Sequence, residues 1–121
     1  MPVNSRQKGK RVELELVHIL KRHGFDARRT QQYNGAVDDG QMDVESSGPL
    51  DRWEVKGVER LSPGIHDVVA RAAVEAGGLP TAVAWKRNHK GWIACLSLET
   101  LLELLTELEA FRRNTKPCSS A

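Results

Sequence analysis

The 121-residue chain predicts an α/β fold, with a central mixed sheet of about five strands flanked by helices in the order αβββαββα. Three observations predict it. Apolar residues recur at helical spacing in three separate segments. Short β-branched, aromatic or apolar runs fall between them, three before the second helical segment and two after it. The joints between these runs are rich in Gly, Pro, Asn, Asp and Ser.

Taken in order, residues 1–10 read as a flexible basic N-terminal arm with a loop at Lys8-Gly9-Lys10. Residues 11–23 form the first helix, with Val12, Leu16, Val17, Ile19 and Leu20 on one face and Gly24 as its stop. Residues 25–30 are a first strand, and 31–40 a loop. Strands at 41–45 and 50–56 flank Ser46-Ser47-Gly48-Pro49, a turn that predicts an antiparallel hairpin. Val68, Val69, Ala72, Ala73 and Ala76 mark a second helix over 66–76, closed by Gly77-Gly78. Residues 81–85 are a buried strand, 87–91 a basic turn and 92–96 another strand. Ser97 caps a last helix that carries Leu98, Leu101, Leu102, Leu105 and Leu108, with Glu99 in its first turn. Residues 114–121 read as a disordered tail, which leaves 11–113 as a single domain with one core.

Composition narrows the function classes. No run approaches the roughly 18 apolar residues that span a bilayer, and the polar, basic first residues lack a signal peptide's apolar segment. Cys95 and Cys118 lie far apart with no CxxC or Cys/His cluster, so neither zinc nor a disulfide framework is expected. A cytoplasmic, intracellular protein is the simplest expectation. Net charge is +2, unevenly spread: residues 1–30 carry +5 and residues 31–60 carry −4. A basic flank beside an acidic centre fits a phosphate-binding surface around a metal site.

Four charged residues supply the chemistry: Glu13, Asp43, Glu54 and Lys56. Strand alternation sends Glu54 and Lys56 of Trp53-Glu54-Val55-Lys56 to one face. Asp43 points away from its apolar neighbours Met42 and Val44. On the helix, Leu16, Leu20 and Val17 lie roughly −60°, −20° and +40° from Glu13. Glu13 therefore sits inside the apolar arc, and Glu15 lies on the far side. A carboxylate at a core edge calls for a cation, whether a metal or an Arg or Lys partner. Three carboxylates near one lysine suit Mg²⁺ held against a phosphodiester. His18, His23, His66 and His89 have no ligand spacing, and Trp85 and Trp92 read as strand tryptophans.

These residues also carry a resemblance. Lys8-Gly9-x-x-x-Glu13, His23-Gly24-Phe25, Met42-Asp43-Val44, Trp53-Glu54-Val55-Lys56, Gly77-Gly78-Leu79-Pro80 and Gly91-Trp92 follow one another in an order similar to that of the archaeal-type Holliday junction resolvases. Those enzymes, which have phage relatives, belong to the PD-(D/E)XK nuclease superfamily. The resemblance spans residues 8–105 and implies a restriction-endonuclease-like core. It also implies a homodimer, dependence on Mg²⁺ with Mn²⁺ substituting, and paired incisions in four-way branched DNA. It carries catalytic roles to Glu13, Asp43, Glu54 and Lys56. One departure stands out: the loop at 30–39 has no serine where these resolvases often have one, and Thr30 is the substitute at hand.

On this reading Asp43 and Glu54 ligate the metal, with the Val55 carbonyl as the candidate third ligand, Glu13 binds it directly or through water, and Lys56 orients or deprotonates the attacking water or stabilises the pentacovalent transition state. Arg6, Lys8, Lys10, Arg11, Arg28, Arg29, Thr30 and Arg60 are the expected DNA contacts. No membrane and no small-molecule cofactor is called for. The rival readings are a related nuclease acting on flaps, ends or duplex DNA, and a non-catalytic DNA-binding protein on the same fold.

Overall fold

A computed structural model describes residues 5–30 and 43–115 of the chain. The expected loop over 31–40, with Asp38 and Asp39, lies outside the described residues, as do residues 1–4 and 116–121. Eight elements follow one another: α1 (Ser5–Arg22), β1 (Ala27–Arg29), β2 (Val44–Ser46), β3 (Arg52–Lys56), α2 (Ile65–Glu75), β4 (Thr81–Lys86), β5 (Trp92–Cys95) and α3 (Leu98–Thr115). The predicted order αβββαββα is the observed one. The five strands form one sheet in the order β1-β2-β3-β4-β5. Only β3 and β4 pair in parallel, with α2 as the crossover between them; the other neighbours are antiparallel.

Each face of the sheet carries one helix. Leu16, Val17 and Leu20 of α1 pack on Val44 and Ala84, with Trp53, Val55 and Trp92 at the margin. Val68, Ala72 and Ala76 of α2 pack on Val83 and Cys95 of the other face. β4 lies between both layers, and Thr81, Ala82, Val83 and Ala84 are all buried. That is why its sequence is an unbroken apolar run rather than an alternating one. Val44 and Val83 are fully enclosed, each contributing about 1.5–3 kcal/mol by burial.

Three boundaries differ from expectation. α1 begins at Ser5, so Lys8-Gly9-Lys10 is helical rather than a loop. One helical glycine costs only about 1 kcal/mol, which the rest of an 18-residue helix outweighs. β2 starts at Val44, so Asp43 precedes the strand instead of lying within it. α3 runs to Thr115, past the expected start of the tail.

The capping expectation for α3 holds: the Thr100 amide donates to Ser97 Oγ at 3.1 Å, and Ser97 O accepts from the Leu101 amide. The leucines of α3 do not cover the chain's own sheet. Leu98, Leu101, Leu102, Leu105, Leu108 and Phe111 all stand exposed, and among the described residues α3 packs extensively against no other element.

Candidate active site

The site forms where α1, β1, β2 and β3 meet. The β2–β3 pairing places Val44 opposite Trp53 and Glu45 opposite Arg52. Asp43, one residue ahead, thereby reaches the middle of β3. Its Oδ2 accepts the Val55 amide at 2.9 Å, and its own carbonyl accepts the Thr30 amide at 3.1 Å. The catalytic candidate is thus anchored from both sides by backbone.

Glu54 and Lys56 share a face of β3 as alternation requires, with Lys56 Nζ 3.6 Å from Glu54 Oε2. Burial pushes the Glu54 carboxyl up to about 8, and the adjacent Asp43 adds to the shift by repulsion and hydrogen bonding; Lys56 only partly offsets it. Two acids pressed together in a half-buried place, with a lysine beside them, are poised for a cation.

Glu13 takes a different partner. Its Oε1 accepts Arg29 Nε at 2.8 Å, with both side chains largely covered. Burial raises the Glu13 carboxyl, the Arg29 bond opposes this, and Asp43 raises it further. The three acids therefore form a row, Glu13 then Asp43 then Glu54, with Arg29 at one end and Lys56 at the other. Among the described residues no three His, Cys, Asp or Glu side chains are gathered closely enough to hold a metal ion. The Asp43–Glu54 pair nonetheless fits a hard divalent cation: it offers carboxylate oxygens whose mutual repulsion a positive charge relieves.

The other expected residues are dispersed. Lys10, Arg11 and Arg60 are exposed and Lys8 is half-buried. Arg6 lies on α1. Arg28, on the open face of β1, pairs with Glu45 at 3.0 Å while staying 77% exposed. Val55 is packed among the apolar residues under α1. The four histidines are on the surface. Each tryptophan has a structural bond: Trp53 Nε1 donates to Ser46 Oγ, Trp85 Nε1 to the Val58 carbonyl and Trp92 Nε1 to Glu15 Oε2.

Glu15 itself corrects a reading. The helical wheel puts it on the outer face, yet Lys86 Nζ donates to its Oε2 at 2.6 Å, beside the Trp92 bond. The Lys86 bond leads the effects that hold its carboxyl below the usual value. Glu15 thus ties α1 to the end of the β4–β5 hairpin. Sequence reasoning also missed the Glu59 clasp, in which Glu59 Oε2 accepts the Asn88 amide at 2.7 Å and Oε1 lies 3.8 Å from Arg87 Nε. No sequence signal marks either pairing, because the partners are far apart along the chain.

The Glu54 shift fixes a pH dependence. An unfolded Glu titrates near 4.5 and the folded one near 8, so the folded chain binds this proton more tightly. The resulting stability is fully present below about 4.5, declines through the window up to about 8, and is lost above it. The metal-free protein should therefore lose stability as pH rises across that window, by up to about 5 kcal/mol at the conversion for one carboxyl. Glu54→Gln should flatten the dependence. Thermal melts at stepped pH check this, and a wild-type Tm that climbs through the window would refute it.

A mixed five-stranded sheet with flanking helices in this order is a restriction-endonuclease-like class of fold. Among solved structures, the chain is similar to Hjc of Archaeoglobus fulgidus, a Holliday junction resolvase from an archaeal hyperthermophile, at 23% identity and a TM-score of 0.50. The match covers 69% of this chain and 72% of that one, and it is a likeness of fold. No protein-family model and no curated protein matches the sequence. Among the described residues no helix is long and apolar enough to cross a membrane.

Proposed function

We propose that the protein is a divalent-metal-dependent endodeoxyribonuclease that resolves four-way DNA junctions by paired phosphodiester hydrolysis, acting as a homodimer in the cell interior. The observation that carries this is the Asp43–Glu54 carboxyl pair with Lys56 on the same strand face. The fold shared with a Holliday junction resolvase supports the choice of branched DNA.

Asp43 and Glu54 hold Mg²⁺, or Mn²⁺ in its place, and the Val55 carbonyl is a third donor on the same strand. The bound cation supplies Lewis-acid polarisation of the phosphate and a more acidic water. Lys56, at the end of β3, would orient the attacking water and offset charge on the phosphate oxygens. Glu13 adds a donor from α1 once Arg29 turns to a DNA phosphate. Thr30, beside Asp43 on the backbone, borders the same edge. The basic side chains of α1 and β1, from Arg6, Lys8, Lys10 and Arg11 to Arg28, together with Arg60, hold backbone phosphates and position the DNA without reading its sequence.

A cleavage panel of junction, flap, duplex and single strand, with and without Mg²⁺, tests the reading. Paired nicks confined to the junction arm and lost in chelator are expected. Preference for the flap or the duplex would move the assignment to a related nuclease, and no cutting in any arm would leave a DNA-binding protein.

Binding separates the two arginines of β1. Arg28→Ala should reduce the slope of log affinity against log salt by about 1 unit and leave turnover at saturating DNA unchanged. Arg29→Ala should also change turnover, because it removes the cation that holds Glu13 in the DNA-free site. Equal turnover in both variants would confine Arg29 to phosphate binding.

A further inference from the structure

The basic turn between β4 and β5 takes no part in the carboxylate row, yet the sheet carries it to the same place. β3 and β4 run parallel with Lys56 beside Trp85, so the turn over residues 87–91 leaves the sheet at the end where Lys56 lies. Its tip, Asn88 and His89, is three to four residues beyond Trp85, hence about 10–13 Å past Lys56.

The turn is pinned against the segment that follows Lys56. The Lys90 amide donates to the Arg87 carbonyl at 3.2 Å and closes the turn. The Asn88 amide donates to Glu59 Oε2 at 2.7 Å, and Trp85 Nε1 donates to the Val58 carbonyl at 2.7 Å. His89 takes φ 60 at the third turn position, which glycine or asparagine fills most easily. Its charge, by contrast, is open. Arg60, His89 and Lys90 are exposed, with no ion pair among the described residues. Arg87 meets Glu59 at 3.8 Å and its side chain stays 48% exposed. Lys86 is already taken by Glu15 and adds nothing to the patch.

We propose that this turn holds a backbone phosphate of the DNA arm that leaves the site past the end of β3, with Arg87 and Lys90 as the donors. The proposal rests on the DNA reading given above and deepens it with a second, fixed contact outside the row of acids. Continuity argues for DNA as the occupant: the turn is bonded to the residues that directly follow Lys56, where a phosphate backbone already lies. Duplex DNA rises about 3.4 Å per nucleotide along a strand, so a reach of about 10–13 Å corresponds to three or four nucleotides. Phosphates held at the site and again at that distance fix the direction of the arm without reading a base.

Junction binding in Ca²⁺ tests this without requiring cleavage. Arg87→Ala/Lys90→Ala should lower the slope of log affinity against log salt by about 2 units and keep the wild-type melt, because both side chains are exposed. Arg112→Ala/Arg113→Ala removes the same charge from the last turn of α3 and should leave the slope unchanged. If the first variant loses its melt, Lys90→Gln alone carries the test, with a drop of about 1 unit. A methylphosphonate scan of the arm then locates the contact. One neutral linkage three or four nucleotides from the scissile phosphate should weaken wild-type binding about fivefold and leave the Arg87→Ala/Lys90→Ala variant no weaker. An unchanged slope, an equal drop in the α3 control, or a scan with no position that separates the two proteins would each overturn the proposal. A wild type that binds no junction would remove the DNA reading and this contact with it. Binding that shows these shifts without cutting in Mg²⁺ would keep the contact and remove the nuclease reading alone.

Discussion

Asp43→Asn and Glu54→Gln should each abolish cleavage, with a loss on the order of 10³-fold or more, while junction binding in Ca²⁺ changes little. The reasoning separates charge from shape. Asn keeps an oxygen that can accept the Val55 amide, so the link between the start of β2 and the middle of β3 survives. Gln keeps the length of Glu54 but removes a carboxyl that burial and Asp43 disfavour. That variant should melt at or above the wild-type temperature at neutral pH, and Mg²⁺ should raise its Tm less than it raises the wild type's. Single-turnover cleavage, gel-shift binding and melts with and without metal separate the effects. A Glu54→Gln protein that cuts at the wild-type rate would show that the carboxyl pair is not the catalytic centre.

The second large effect is expected from Gly57, which directly follows Lys56. A Cβ at this position would lie 2.8 Å from Val12 Cγ2 on α1, a buried side chain with little room to yield. Gly57→Ala should therefore cost about 1–3 kcal/mol and push the end of β3 away from α1. Cleavage should fall with stability, because Lys56 moves with its neighbour. Adding Val12→Ala makes room and should restore part of both losses, a coupling that a double-mutant cycle measures directly. Additive losses would mean that the strain is relieved elsewhere and that α1 does not set the position of Lys56.

What was legible in the sequence was what periodicity encodes. Alternation alone placed Glu54 and Lys56 side by side, and the helical wheel put Glu13 inside the apolar arc. The element order followed from where one period gave way to another. The pairings between distant elements were not legible. Arg29 reaches Glu13 only because β1 packs under α1. Glu15 meets Lys86 and Trp92 only because the turn end of the β4–β5 hairpin lies against the middle of that helix. A wheel describes one helix, and a long glutamate on its outer side still reaches around to a neighbour. The α3 leucines show a related limit. A leucine stripe says that a face will be covered but does not say by which body. The loop expected over 31–40 is not among the described residues, so the place of the absent serine stays with the sequence.

The register of β3 against β4 has a consequence for how the chain assembles. Glu54 lies beside Val83 and Lys56 beside Trp85, and Val83 is locked in the core. A slip of one residue would turn Trp53 and Val55 to the wrong layer and drive Glu54 and Lys56 into the apolar underside of α1. The same step that completes the core therefore sets Glu54 and Lys56 on the face opposite α1, so on the proposed function a half-assembled or misregistered chain would carry these residues without the site they form.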